Sequence, residues 1–361
     1  MRLAPGAGAS AVSRAKDRIL QVLKATGVFA VCRRLTRRQA RILCYHGVAL
    51  ADEHAFQPLL FMRPATFRKQ LNTLKALGYP VVSLEHVAAL LDGASLPPCA
   101  VVLTIDDGWY GTYQHALPAL IEHGYPATVY VTTYYVEQQL PVFNVLVSYL
   151  FWRSELAVLD VAALGYGLIG NFDLRDPAAR ALAVRLVQSK DAELGPQARH
   201  ALSRALGAAL GQDVEALTAQ RLLSLMTPAE LQDAASMPDI DIQLHTHRHR
   251  MGAMTRAEIE REITDNRASL ARLLGREFTH FCYPSGNCDR VVWPFLQDLG
   301  VRTATTTVAG LTARGSDRFG LRRICISDQI SDIEFEAELS GAAELLRTLK
   351  RWGTRTRGPA A

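Results

Sequence analysis

Short apolar runs alternate with amphipathic stretches over most of this chain. Residues 41–45 are apolar enough for a buried strand that stops at His46 and Gly47. Residues 66–77 then place Phe67, Leu71, Leu74 and Leu77 at helical spacing, and Gly78 follows as a natural C-cap. A strand fragment at 81–82 leads into a helix that Ser83 caps and that runs to Leu91. Residues 101–105 form the next buried strand, 116–122 a helix closed by Gly124, and 127–132 a strand rich in β-branched residues. Further on, 240–244 is a strand. Thr255 and Glu258 form a capping box for a helix ending at Leu274 before Gly275, just as Thr227 and Glu230 do for a shorter one. Strands at 279–283, 303–307 and 321–326, a helix at 291–299 and a closing helix at 332–352 complete the pattern. Such alternation predicts an α/β fold with a parallel sheet or barrel, whose chemistry sits at the carboxyl ends of strands.

One region breaks the rhythm. From about 141 to 225 the chain turns to Ala, Leu and Arg with helical periodicity and no convincing strand, which predicts a helical insertion. Its first stretch, 142–152, is apolar nearly all round, the mark of a buried helix, and also of one able to line a groove for a greasy substrate.

The composition adds little until charge is mapped. A chain of 361 residues that is 49% hydrophobic and 21% charged can bury a full core without disulfides. Six cysteines without a CxxC pair read as reduced, mostly buried thiols, which favours a reducing compartment. Of 40 Lys and Arg, ten lie within residues 1–41 against the single acid Asp17, so the remainder carries 30 basic and 34 acidic residues. A basic amphipathic N-terminal arm (1–40) on an acidic body suggests attraction to an anionic membrane surface through residues 14–41. The arm read instead as a helix packed on the domain with a solvated basic face explains the same pattern. It has no aromatic interleaving, which argues against nucleic acid. Neither a clean signal peptide nor a run of eighteen apolar residues is present, so a cytoplasmic protein, peripheral at the inner face of the membrane, is expected.

The candidate chemistry sits at two strand ends. The run 101–105 ends in Asp106-Asp107-Gly108, and 240–244 leads to His245-Thr246-His247-Arg248-His249. A helical turn at the second would set His245 and His249 on one face, and one carboxylate from the first would complete a three-ligand site. Such a site leaves a position where water is made acidic, and the spare carboxylate can take its proton. Each motif alone is weak, since DDG is commonly a turn.

Together they resemble the polysaccharide deacetylases, the NodB-homology proteins of carbohydrate esterase family 4. The first family motif, TFDDG, stands here as Thr104-Ile105-Asp106-Asp107-Gly108, and the second, H[ST]xxH, as His245 to His249. The likeness runs from about 42 to 339 and includes Tyr45-His46-Gly47-Val48 and the loop at Pro284-Ser285-Gly286. It implies an incomplete, distorted (β/α) barrel over 41–340, interrupted by the insertion and followed by a helix end and basic tail at 341–361. It implies Asp106 as base and Asp107, His245 and His249 as ligands of a divalent metal, with zinc expected and cobalt, nickel or manganese as alternatives. Thr246 would orient the loop or bind substrate acetate.

Two departures stand out. Many members carry an arginine in the third motif that holds the catalytic aspartate, and Cys282 occupies that position here; Ser285 replaces the usual tyrosine. Pro284 and Gly286 remain, so the backbone N–H of Ser285 is a candidate oxyanion donor. The fifth motif's histidine, the usual general acid, is missing, and His46 is the substitute candidate. Arg322 or Arg323 is placed to replace the lost arginine. His280 reads as facing the core and His247 as facing away from the metal.

The implied reaction is hydrolysis of N-acetyl groups from amino sugars of a polysaccharide or lipid-linked saccharide. An O-acetyl esterase, an N-deformylase, or a catalytically silent glycan-binding protein are the alternatives.

Overall fold

The computed structural model describes residues 7–251 and 254–355. Seven strands form one closed parallel barrel: β1 (Arg41–Tyr45), β2 (Val101–Ile105), β3 (Ala127–Val131), β4 (Ile240–Leu244), β5 (His280–Cys282), β6 (Thr303–Ala309) and β7 (Leu321–Cys325). They follow one another around the barrel in chain order, and β7 closes on β1 with Leu43 opposite Ile324. Seven strands in place of eight make the barrel incomplete. Its distortion has two visible sources: β5 is only three residues long and meets β4 at one register pair, and the β6–β7 register shifts between Thr305 and Ala309.

Alternation decides what fills the inside. Ile42, Val102, Tyr130, Cys282 and Leu321 pack together in one cluster, whereas Leu43, Tyr45, Leu103, Ile105 and Ile324 belong to the larger core under the surrounding helices. With period two along each strand, Cys44, Thr104 and Arg323 therefore occupy the interior layer above the first cluster. This polar layer leads directly to the mouth.

The insertion follows β3. Helices Phe143–Arg153, Pro177–Gln188, Pro196–Ala209 and Val214–Ala219 make up most of it. The apolar helix at its start is buried through Phe143, Leu146, Val147, Leu150 and Phe151. Contrary to the helical reading, Val158–Asp160 and Asn171–Asp173 pair as a small antiparallel sheet; three-residue strands are too short for alternation to show in the sequence.

The closing helix is two helices, Asp332–Ser340 and Ala342–Arg355, broken at Gly341, whose φ is 81°. The helices Ala7–Ala25 and Val28–Leu35 lie against this pair: Leu20, Phe29 and Cys32 are buried with Ile333, Ala337 and Ala342. Lys16 pairs with Glu334 and Lys24 with Glu336. The arm is thus packed on the domain along one face, while Ile19, Val22, Val31 and Leu35 stay exposed on the other. No helix among the described residues is long and apolar enough to cross a membrane.

Candidate active site

β2 delivers the two aspartates by a sharp turn. Asp106 still donates its backbone N–H to Tyr45 O (2.9 Å), then Asp107 and Gly108 both take left-handed conformations, with φ of 75° and 89°. Two consecutive residues at positive φ abolish the strand alternation that would send neighbouring side chains apart. Gly108 suits its place because of that φ and because a Cβ would press on Val131.

Asp106 sits over the barrel interior, 2% exposed, and is gripped by Arg323, which is fully buried. The guanidinium donates from Nη1 to Oδ1 and from Nη2 to Oδ2, both at 2.7 Å. Its remaining N–H groups reach Thr306 O (2.8 Å), Thr104 Oγ1 (3.1 Å) and Cys282 Sγ (3.1 Å), so all five donors are engaged. Burial opposes ionisation of Asp106, yet the charge and hydrogen bonds of Arg323 outweigh it and hold the carboxyl well below the usual carboxylate range. Of the two arginines proposed from sequence, Arg323 lies at Asp106. Arg322 points to the opposite side of β7, 3.9 Å from Glu344.

Asp107 has the opposite surroundings. Its Oδ2 accepts from Trp109 Nε1 (2.7 Å), whereas Oδ1 is buried and has no hydrogen-bond partner. His245 Nε2 and His249 Nε2 both lie 3.3 Å from that oxygen. His245 Nδ1 donates to Cys282 O (2.8 Å), which leaves Nε2 as the ring nitrogen turned to Asp107. Burial lowers the His245 pKa, but the charges and hydrogen bonds of Cys282 and Asp107 raise it well above the ordinary imidazole value, whereas burial holds His249 below that value.

The histidine loop is not helical, in contrast to the expected turn of helix. Thr246 and His249 adopt φ of 65° and 56°, and this irregular backbone folds His249 back until the two imidazole centroids are 5.0 Å apart. Residues on the helix Arg256–Leu274 hold the loop: Asn266 Oδ1 accepts from His245 N (3.0 Å), and Glu262 Oε2 accepts from Arg248 N (2.6 Å). Neither Asn266 nor Glu262 was singled out from the sequence, nor was Trp109. Polar residues four apart on the buried face of a helix, and a tryptophan directly after DDG, were the available signals.

The other candidates are placed as follows. His46 Nε2 is 3.8 Å from Asp106 Oδ2, the oxygen that also accepts from Arg323 Nη2. Thr246 is fully buried with its Oγ1 unpartnered. Pro284 is buried and Ser285 exposed on the rim after β5, with φ of 54° at Ser285; the next residue, Gly286, lies so close to Thr307 that a Cβ would be 1.8 Å from its Oγ1. His247 faces away from Asp107, its Nδ1 against Thr133 Oγ1 (2.9 Å). His280 is buried between Thr303 Oγ1 (2.7 Å) and Glu85 Oε1 (3.0 Å).

Three groups of side chains among the described residues could hold a metal ion: Asp107-His245-His249, Cys44-His46-Asp106 and Asp106-His245-Cys282. The last two use Asp106, whose oxygens already serve a cationic guanidinium. Only the first combines an orphaned buried oxygen with two imidazole nitrogens, one of them oriented by a carbonyl behind it, the usual support of a metal-bound histidine. These residues fit a divalent ion such as zinc.

The sequence profile described as polysaccharide deacetylase matches residues 94–304, more than half of the chain. The chain belongs to the polysaccharide deacetylase family. These are hydrolases acting on carbon–nitrogen bonds. A segment of 86 residues is 36% identical to the poly-beta-1,6-N-acetyl-D-glucosamine N-deacetylase of Escherichia coli strain K12; it covers 24% of this chain and 12% of that much longer protein. Among solved structures, the Streptococcus pyogenes deacetylase PplD in complex with acetate is similar with a TM-score of 0.54, at 18% identity over 83% of this chain and 98% of that one. IcaB from Ammonifex degensii gives 0.53 at 15% identity, over 84% and 97%. At such identities the likeness concerns the fold. Within this polysaccharide deacetylase family member, the arginine beside the first aspartate comes from β7, and Cys282 on β5 accepts from the same guanidinium.

Proposed function

We propose that this protein is a metal-dependent N-deacetylase of amino sugars in a polysaccharide or lipid-linked saccharide. The observation that carries this reading is the contrast within the aspartate pair: Asp107 Oδ1 without a partner before two imidazoles, beside Asp106 locked by Arg323. Asp107, His245 and His249 would hold the ion, zinc before cobalt, nickel or manganese. When bound, the ion acidifies water and polarises the acetyl carbonyl. Asp106 accepts the proton of the attacking water, and Arg323 keeps that carboxylate ionised and aimed at the mouth. His46, beside Asp106, gives a proton to the departing amine. Ser285 N–H supports the developing oxyanion, and Thr246 Oγ1 offers a hydrogen bond to the acetate.

The proposal extends to location. Exposed Ile19, Val22, Val31 and Leu35 alternate with exposed Arg18, Arg34, Arg37 and Arg38 on the face of the arm turned from the domain. That face suits the anionic inner surface of a membrane, where a lipid-linked saccharide would be met from the cytoplasm. The six thiols, all free, accord with a reducing compartment. Flotation with anionic vesicles tests it: protein left at the bottom of the gradient rules the surface out.

For the reaction, acetate release is measured on N-acetylglucosamine oligomers and a lipid-linked N-acetylated saccharide. Release that stops with chelator, returns with zinc and is absent in Asp106→Asn supports the reading. A zinc-loaded protein that releases no acetate from either substrate refutes it.

A further inference from the structure

One cavity away from the aspartates gathers more cationic groups than the acid in its wall neutralises. It measures about 170 Å³ and lies between the helical insertion and the histidine loop. Arg199 and Asp191 line it from the insertion, Arg248 and Arg250 from the loop, and Tyr134 from the segment after β3. Asp191 is shared by Arg199 and by Arg250, whose Nη2 donates to Oδ2 at 2.6 Å. Arg248 pairs with two acids of the helix Arg256–Leu274, Glu262 at 3.0 Å and Asp265 at 3.8 Å. Tyr134 forms the common floor, with Arg199 5.0 Å and Arg248 5.4 Å from its ring centroid.

Each guanidinium carries five N–H donors in a planar fork. The single side-chain hydrogen bonds of Arg248 and Arg250 leave most of theirs for the cavity. At ~30 Å³ per water the space holds about six water molecules, which suits a phosphate or carboxylate. Ion pairing within the protein gives no reason for such a hollow. Arg248 and Arg250 flank His249 in the chain, so a group bound here is held by the same loop that carries that histidine.

We propose that this cavity binds an oxyanion borne by the substrate saccharide, a phosphate or a carboxylate next to the N-acetylated sugar. The inference rests on the deacetylase reading and specifies its substrate class. Planar guanidinium forks recognise both oxyanions in two-pronged fashion. Arg199 is pre-positioned by Asp191, and Arg248 and Arg250 close on the ligand from the loop.

Two measurements on the metal-loaded full chain test it. Acetate release is compared on a neutral N-acetylglucosamine oligomer, a saccharide diphosphate and an oligomer with an adjoining uronate; binding of inorganic pyrophosphate is followed by calorimetry. The expected result is a preference in kcat/KM of at least tenfold for one charged substrate over the neutral one, and the favoured arm identifies the oxyanion. Arg250→Gln and, separately, Arg248→Gln shrink that preference at least fivefold, through KM more than kcat, and weaken pyrophosphate binding about tenfold. Equal use of all three substrates overturns the proposal. So does pyrophosphate affinity unchanged in both variants, which would put that anion on the metal. Failure to release acetate from every substrate sinks the deacetylase reading, while the calorimetry still decides whether the cavity takes an oxyanion.

Discussion

Asp106 and Asp107 are neighbours in sequence and opposites in environment. Over the barrel interior, Asp106 has a full-charge partner for each oxygen, and the partner itself has no idle donor. At the rim, Asp107 has one oxygen satisfied by an indole and the other without a hydrogen bond, 3.3 Å from each of two imidazole nitrogens. The first arrangement is complete as it stands, because a buried carboxylate and a buried guanidinium each compensate the other. The second is complete only when a cation joins it. What separates the two aspartates is therefore whether protein alone, or protein plus ion, closes the electrostatic account.

The sharpest way to break this comparison is to remove the interior cation. Arg323→Met leaves Asp106 buried and unpaired, which costs about 3–5 kcal/mol and lowers the melting temperature by about 4–7 °C. The pH dependence follows from the direction of the Asp106 shift. Its folded pKa lies below the unfolded value, so the pair's contribution is complete above about pH 4 and is lost as pH falls toward the folded value. The variant loses that contribution at every pH above this window, and its acid-unfolding midpoint moves upward. Thermal melts from pH 3 to 8 check both statements. A loss below about 1 kcal/mol would mean that water enters the interior layer and the grip is weak.

The rim should answer to metal instead. Asp107→Asn in metal-free protein at pH 8 is expected to cost no more than about 1 kcal/mol, since the oxygen it replaces accepts no hydrogen bond. The wild type gains about 2.7 kcal/mol at free zinc one hundred times its Kd, and Asp107→Asn loses most of that gain. Acidification erases the gain in the wild type too, because imidazoles must give up a proton to bind a metal ion. Calorimetric melts with and without zinc, at pH 8 and pH 5, read all of this. A wild type indifferent to zinc at pH 8 would remove the distinction between the two aspartates.

Much of this was legible beforehand, for identifiable reasons. Strand runs ending in DDG and leading to HTHRH gave the α/β barrel and the residues of its mouth, because buried strands and their C-terminal loops leave strong local patterns. The path by which His249 returns to His245 left no such pattern: it depends on positive φ at two non-glycine residues and on Asn266 and Glu262 from a helix later in the chain. Arg323 was reached only as half of a pair with Arg322. Parity could have chosen, since Leu321 packs inside the barrel and Ile324 outside. A break at Gly341 within one continuous amphipathic pattern is equally tertiary; there the chain bends so closely around Thr36 that a Cβ would lie 2.4 Å from its hydroxyl.

The same parity supplies a smaller test. Arg322→Ala removes a half-exposed cation whose nearest acid is 3.9 Å away, and should change stability by no more than about 0.5 kcal/mol with turnover within about twofold. Set beside Arg323→Met, it measures what one step along a strand is worth. An Arg322 effect as large as that of Arg323 would put the assignment of inside and outside on β7 in error.

The gentlest probe uses the two thiols that face each other in register, Cys44 on β1 and Cys325 on β7. Cys325 is exposed at the end of its strand. Its pairing with Cys44 lowers its pKa most, burial opposes this, and the charge of Arg323 helps, leaving it below the ordinary thiol value. Cys44 is pushed up, first by that pairing and then by burial. Thiolate is the reactive form, so alkylation of the native protein should modify Cys325 first, at a lower pH than an ordinary thiol requires, while Cys44 stays silent until the protein unfolds. Peptide mapping after brief iodoacetamide treatment at pH 6, 7 and 8 reads the order. Arg323→Met should slow Cys325 at pH 7, because the guanidinium that holds Asp106 also favours this thiolate; an unchanged rate would confine the influence of Arg323 to the carboxylate it touches.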